Sequence, residues 1–390
     1  MILKKETILI VHNYYQVPGG EDSVVMNEKT LLEKHGHKVY LYTRHNDEFK
    51  HMGVLRKLFA PINNFFNIST YRDVRHYIKK YKIDVVHVHN TMNIISPAVY
   101  YAAIMSNVPI IKTIHNFRLV CPSALLFRNG NICEECINKN ILYALKYRCY
   151  KKSFSMTLVC IIILYIHRMI GIYKRINYIC LTEFNKGKLL TMNGVKKENI
   201  YIKPNFVEQS KEYIDKRENV FVYVGRLDET KGVDFLLHAW KHVNYQLLIC
   251  GTGPLKKWCE EYIKERNINA KLLGYQEHDK VMKILASSQA LIMPTKLYEG
   301  FPMNIVEAYS VGTPVICSDL GNAGALINTG VTGYKFKNEE ELIEAVNKVR
   351  CLHNRQEIKN IYLKNYSDDV NYKKLLFIYR DVIRKVIKEK

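Results

Sequence analysis

Short runs of β-branched and aliphatic residues recur along the chain, separated by stretches whose apolar positions fall at helical spacing. In the first half they read TILIVHN, KVYLYTR, VVHVHN, PIIKTIHN and NYICLTE, and in the second VFVYVGR, LLICGTG, AKLLGY, ALIMPT and PVICSD. Apolar runs of strand length alternating with helical patterns predict βαβ units and parallel sheets. The rhythm breaks after IYIKPNF, in a charged and weakly patterned stretch between Glu208 and Glu218. The expected fold class is therefore α/β, with two Rossmann-like doubly wound domains, residues 1–205 and 206–365, joined near 206–218. The last segment, 366–390, has apolar residues at helical spacing and a basic remainder, so a terminal helix is expected to pack back on the N-terminal domain. Nearly every strand ends in a polar residue or glycine: Asn13, Asn90, Asn116, Arg226, Gly251, Thr295 and Asp319. Ligands of open α/β sheets bind beyond the carboxyl ends of strands, so the active site is expected in a cleft that the two domains face.

Composition narrows the class. The chain has 390 residues, 48% hydrophobic and 24% charged, which suits two globular domains rather than a disordered or fibrous protein. Its net charge of +21 implies a polyanionic partner: nucleic acid, an anionic bilayer or a phosphorylated ligand. The start, MILKKETILIVHNYY, lacks a signal-peptide layout, which predicts a cytoplasmic protein. The longest apolar run, MTLVCIIILYI, falls below the ~18 residues that span a bilayer as a helix. Ten cysteines without an export signal are expected mostly as thiols or metal ligands.

The stretch YEGFPMNIVEAYSVGTPVI carries Glu299 and Glu307 around a Gly-Phe-Pro. Asn304 is predicted to cap a helix through Ser310 that Gly312 ends. Glu299 then precedes the helix and Glu307 lies about one turn inside it. Carboxylates accept paired hydrogen bonds from vicinal hydroxyls, and a helix start suits a phosphate, so a nucleotide-sugar fits between the two. Solvated glutamates on a surface helix are the plain alternative.

This E-x7-E pattern, preceded by GRLDETKG and followed by EAYSVGTPVICSD, resembles the retaining glycosyltransferases of family 4, which have the GT-B fold. The resemblance runs over roughly residues 8–345. It implies that Glu299 contacts the donor sugar's hydroxyls and Glu307 the ribose, with Gly300, Phe301 and Asn304 alongside. It also implies that Arg226 and Lys231 clamp the diphosphate, where two cations stabilise the charge growing on the leaving group. Gly251 and Gly253 of CGTGPLKKW, with Tyr275 of LGYQEH, would line the base pocket; turn glycines and a core tyrosine are the other reading. The same CGTG stretch matches neither a dinucleotide fingerprint nor a P-loop.

The loop with Gly19 and Gly20 would border the donor diphosphate and the acceptor, although Glu21 and Asp22 already favour that helix dipole. His115, at a strand's carboxyl end, would polarise or position the sugar. His87 and His89 alternate along one strand and are expected in the core or behind the site. No carboxylate stands out as the nucleophile of a retaining reaction. The family's same-face attack, in which the acceptor hydroxyl gives its proton towards the leaving phosphate, is consistent with that. Where many relatives carry a glutamate before the GVTG turn, this chain has Ala325, which puts the local geometry near Asn322 in question.

Cys121, Cys133, Cys136 and Cys149 form one C-x-x-C with two further cysteines, a spacing open to structural zinc, to reduced thiols or to disulfides. No metal or other cofactor is expected for catalysis. From Lys139 to Lys188 cations far outnumber Glu183, the one acid there, and they flank the apolar run. That pattern suits an anionic membrane surface, where a lipid-linked saccharide acceptor would be found; a buried helix with a basic rim is the alternative. The expected function is transfer of a hexose from a nucleoside diphosphate, UDP foremost, in capsule, exopolysaccharide or lipopolysaccharide synthesis, by a cytoplasmic enzyme peripheral to the membrane. A nucleotide-sugar 2-epimerase is the rival enzyme. A basic nucleic-acid binder is disfavoured because no recognition motif appears.

Overall fold

In the first unit, strands read as near-continuous apolar runs because both faces of the sheet are covered. β1 (Thr7–Tyr14), β2 (Lys38–His45), β3 (Val85–Asn90), β4 (Ile110–Ile114), β7 (Asn177–Cys180) and β8 (Ile200–Ile202) form one parallel sheet in the order β2-β1-β3-β4-β7-β8. The computed structural model describes residues 5–16, 19–51, 60–210, 212, 217–352 and 354–388. Part of the predicted charged link, residues 211 and 213–216, lies outside them, as do residues 1–4 of the N-terminal stretch, 17–18 before Gly19 and the last two residues of the terminal segment.

By contacts the chain divides into two compact units, residues 1–124, 135–204 and 371–390 in one, and 125–134 and 205–370 in the other. The first buries Ile8, Ile10, Val85, Ile111 and Ile179 of its sheet against Leu375, Ile378, Tyr379 and Val382 of the helix Asp368–Lys388. An ion pair supports this seating, since Arg380 Nε lies 2.9 Å from Glu6 Oε1. Side-chain caps start several of its helices: Asn67 accepts from Thr70 N, Ser153 from Met156 N and Thr182 from Asn185 N.

The second unit repeats the layout. β9 (Val220–Val224), β10 (Gln246–Cys250), β11 (Ala270–Gly274), β12 (Ala290–Met293), β13 (Val315–Ser318) and β14 (Gly333–Phe336) pair in parallel in the order β11-β10-β9-β12-β13-β14. Its core lies on both faces, with Phe221, Trp240 and Leu342 in one cluster and Val222, Leu285, Tyr309 and Tyr362 in the other. A two-stranded antiparallel hairpin, β5 (Phe127–Arg128) with β6 (Asn131–Ile132), belongs to the segment that goes with this unit.

Each sheet has one point where the chain steps outward, returns and continues on the other side. In the first it is between β1 and β3, and in the second between β9 and β12. Such reversals open a crevice at the carboxyl ends of the two strands, which is where doubly wound sheets hold ligands.

The apolar run lies in the 16-residue helix Phe154–Met169. Cys160, Ile161 and Leu164 are buried, whereas Phe154, Met156, Ile162, Tyr165 and Met169 are exposed. The helix is therefore packed on one side and apolar on the other. Among the described residues no helix is long and apolar enough to cross a membrane.

Candidate functional site

The second unit's crevice is built by close backbone packing. After β9 the chain makes the turn Glu229–Lys231, and Gly232 follows with φ +71 before the helix Val233–Trp240. A Cβ on Gly232 would lie 1.9 Å from the carbonyl oxygen of Pro294, so only glycine lets this turn lie against the end of β12. Asp228 caps the turn, accepting from Thr230 N at 2.9 Å and Lys231 N at 3.1 Å. The Lys231 ammonium then reaches both carboxylate oxygens of Glu299, at 2.8 and 3.0 Å. Thr295, just past β12, donates to Glu299 Oε1 at 2.9 Å.

The loop that carries Glu299 is pinned from behind. The buried Asn322 amide donates to the carbonyls of Glu299 and of Gly300, the latter at 2.9 Å. Arg226 contacts Asp228 through Nε, while its side chain stays 67% exposed and so keeps donors available to a ligand. Tyr298, beside Glu299, is pushed up to about 12 by burial and by a hydrogen bond to Glu134.

Asn304 does not cap the helix. The helix is Met303–Ser310, entered from Pro302, and its start has no side-chain cap. The proline fixes the entry two positions earlier, so Asn304 lies within the first turn and its amide donates to the carbonyl of Val224, at the end of β9, at 3.1 Å. Phe301 packs towards the Tyr366 ring at 6.4 Å. Glu307 has its own partner, His278 Nδ1 at 3.9 Å, and burial pushes its carboxyl above the usual range while His278 opposes that rise. Gly251, at φ +141, and Gly253 lie against the backbone at Gly225 and Leu227, where a Cβ would not fit. Tyr275 is 71% exposed, not a core tyrosine.

In the first unit, the β1–β3 crevice is laced by asparagines: Asn90 donates to the Asn13 carbonyl at 2.8 Å and Asn13 to Asn46 at 2.9 Å. Gly19 precedes the helix Gly20–Lys34, and its N–H is taken by Asp22 Oδ2 at 2.9 Å. A Cβ on Gly19 or Gly20 would meet open space, so nothing within the protein demands glycine at either. Glu21 accepts from Tyr15 at 3.0 Å, and its burial, with Lys112 opposing, raises its carboxyl to about 7.

His115 follows β4 and stands 2.9 Å from His89. From His115 a groove passes Asn93 and Arg118 to Cys160 and Ile163, and continues to Met156 on the half-apolar helix. Arg118 is braced across it, donating to the Pro122 carbonyl at 2.7 Å with its guanidinium 5.1 Å from the Tyr150 ring centre.

Of the four cysteines, Cys121 is buried and has Ser123 Oγ 3.1 Å from its sulfur; Cys133, Cys136 and Cys149 are half-buried. Cys133 belongs to the second unit's segment and the other three to the first unit. Among the described residues, the group of three metal-capable side chains drawn within 4.8 Å is Glu28, His87 and His89.

Thr295, Asp228 and Asn322 join the site without having been singled out as ligands. Thr295 had been marked only as a polar strand end. Asp228 carried a readable sign, an aspartate placed to cap a turn.

Known proteins resemble this chain along both halves and in fold. Residues 205–366 match the family model described as glycosyl transferases group 1, and residues 18–211 match that of glycosyltransferase family 4. Three uncharacterized glycosyltransferases of Methanocaldococcus jannaschii are 26%, 29% and 37% identical over segments covering 43%, 34% and 29% of this chain. Those segments span only 49%, 36% and 29% of the relatives' own lengths. An Escherichia coli protein named UDP-Gal:alpha-D-GlcNAc-diphosphoundecaprenol alpha-1,3-galactosyltransferase is 24% identical over 69% of this chain and 67% of its own. Anabaena HepE, solved in complex with UDP-glucose, superposes with a TM-score of 0.61 at 15% identity, covering 98% of this chain and all of that one. The two parallel-sheet units therefore have the GT-B fold.

Proposed function

The chain belongs to the family 4, group 1 glycosyltransferases, and from that premise we propose that it transfers a hexose, with retention, from a nucleoside diphosphate to a lipid-linked or growing saccharide. The observation that carries the reading is Lys231 held on Glu299 at the β9–β12 crevice, with Arg226 exposed beside it. A diphosphate there would meet two cations. As the glycosidic bond breaks, charge builds on the phosphate oxygen, and fixed cations stabilise it without reorganisation. Glu299 would hold sugar hydroxyls with the oxygens it now offers to Lys231, and Glu307 would accept from the ribose. UDP is the expected carrier, in keeping with HepE's UDP-glucose complex and with the donor in the Escherichia coli relative's name.

On the acceptor side the support is the groove between His115 and Met156. Arg118 and Lys151 border it with cationic groups suited to a lipid diphosphate, and Ile163 and Val159 supply an apolar wall. The exposed apolar face of Phe154, Tyr165, Met169 and Ile170, together with Lys146, Arg148, Lys151 and Lys152, would rest on the anionic inner surface of a cytoplasmic membrane. Structural zinc at the four cysteines stays a proposal that metal analysis of the purified protein decides.

The test is to incubate the protein with radiolabelled UDP-hexoses and a polyprenyl diphosphate saccharide, then assign the new anomeric centre by NMR. Label moving to the organic phase with the donor's configuration supports the reading. Conversion of the sugar nucleotide without acceptor would favour a 2-epimerase, and no reaction with any donor-acceptor pair would count against both.

A further inference from the structure

In the first sheet, β4 carries a charge where its neighbours are apolar. Ile110, Lys112 and Ile114 share a face by strand alternation, and the two isoleucines are buried. In register beside Lys112 stand Val88 of β3 and Tyr178 of β7, both fully buried. Central parallel strands covered on both faces take apolar residues at such positions, and a lysine is seldom enclosed there unless it is paired. Lys112 is half-buried and forms no ion pair among the described residues. One of its three N–H groups reaches the carbonyl oxygen of His89 at 3.3 Å, and the ammonium stands 6.0 Å from the Tyr100 ring centre.

Lys112 lines an inner pocket of about 80 Å³ against the sheet, together with His115, Tyr100 and Arg118. Arg118 also borders the wider groove outside, of about 680 Å³. This second cation lacks an acid as well. Its Nη1 donates to the Pro122 carbonyl and its plane lies near the Tyr150 ring, which leaves Nε and Nη2 without protein acceptors among the described residues. The acid close enough to feel both cations is Glu21, but its carboxylate is held by the Tyr15 hydroxyl at 3.0 Å and pairs with neither. Two cations thus meet at one pocket with donors unfilled. Enclosing such groups costs free energy that a bound oxyanion would offset with charge-assisted hydrogen bonds.

We propose that Lys112 and Arg118 form an oxyanion subsite beside His115, and that the acceptor saccharide seated there carries a carboxylate or phosphate on the sugar itself, as a uronic acid or a phosphosugar does. Reading the anion as part of a saccharide rests on the transferase proposal, whereas the subsite does not. The lipid diphosphate of that proposal is a different group, met farther out at Lys151, which borders the wide groove and not the inner pocket.

Ligand-detected NMR on the protein alone tests the subsite, with methyl glucuronide and glucose 6-phosphate as charged probes and methyl glucoside as the neutral one. The expected result is binding of a charged sugar and not of the glucoside, with the tighter of the two probes telling carboxylate from phosphate. Lys112→Met and Arg118→Gln should each weaken that binding at least about 10-fold, as loss of a charge-assisted hydrogen bond does. Lys112→Met should melt no lower than wild type, because it puts an apolar side chain in an apolar row; a clearly lower melting temperature would make the ammonium a structural group and overturn the proposal. Equal binding of charged and neutral sugars, no binding of either charged sugar, or unchanged affinity in both variants would overturn it too. So would inorganic phosphate binding as tightly as the better sugar, which would assign the pocket to a free or lipid-borne phosphate. Charged-sugar binding that holds while no UDP-hexose is transferred to any acceptor would strike the transferase reading and leave the subsite standing.

Discussion

The Lys231 ammonium bridges both carboxylate oxygens of Glu299, at 2.8 and 3.0 Å, joining a turn after β9 to a loop after β12. The pair is partly buried, and Thr295 supplies a third contact on the same carboxylate. Its arrangement holds a cation in place before any diphosphate arrives, which is the condition for electrostatic preorganisation.

Removing that cation should therefore act on turnover. Lys231→Ala is expected to lower kcat by about 10²–10³-fold, the range for a lost charge-stabilising donor. Steady-state kinetics on a variant with an unchanged circular dichroism spectrum checks this. A near-normal rate would remove Lys231 from the clamp.

Asn322 is expected to matter for stability as well as for the loop. Its amide serves two backbone carbonyls in a buried place, so Asn322→Ala should cost about 1–3 kcal/mol by leaving them unpaired. Urea unfolding measures the loss. A stability within a few tenths of wild type would mean that water or a shifted side chain replaces it.

How far the sequence could be read differs between these elements. Most of the buried parallel strands are continuous apolar runs and could be read directly, as could the polar residues at their ends, whereas the short β14, with the sequence GYKF, carries no such run and was missed. The Lys231–Glu299 contact could not, because it depends on β9 lying beside β12, and sheet order is set by crossovers that leave no local pattern. Asn304 was misread because its side chain is a good cap, while Pro302 just upstream decides where the helix begins. The pairing of Glu28 with Lys203 was illegible for the same reason as the clamp: both residues look like ordinary surface charges until the fold buries them together.

Nucleotide affinity should depend on pH through Glu307. Its carboxyl is raised by burial, so as pH falls from 7 towards 4.5 it gains a proton earlier than an exposed glutamate and loses an acceptor for the ribose. UDP should bind progressively more weakly over that window, beyond the change in Glu307→Gln, where the phosphate and the remaining site groups are the same but this carboxyl is gone. The sign for stability is opposite. A raised carboxyl favours the folded state below its unfolded value near 4.5, and that contribution is lost as pH rises through the folded value. Parallel titration curves for the two proteins would remove Glu307 from the ribose site.

The helix Asp368–Lys388 should come under acid stress through Glu6. Burial alone would raise this carboxyl, but His37 and Arg380 beside it bring it to about 2. The stability it contributes is present above pH 4.5 and is lost as pH falls towards 2, by at most about 3 kcal/mol. Glu6→Gln should flatten the acid limb of a thermal-melt series, and an unchanged limb would show that other groups govern it.

The most direct test of the donor site is calorimetric titration of the protein with UDP, GDP, dTDP and ADP, repeated on Glu307→Ala. Selective binding of UDP that is lost in the variant is the predicted result. A folded protein that binds none of the four, or a variant that binds UDP as wild type does, would contradict the account.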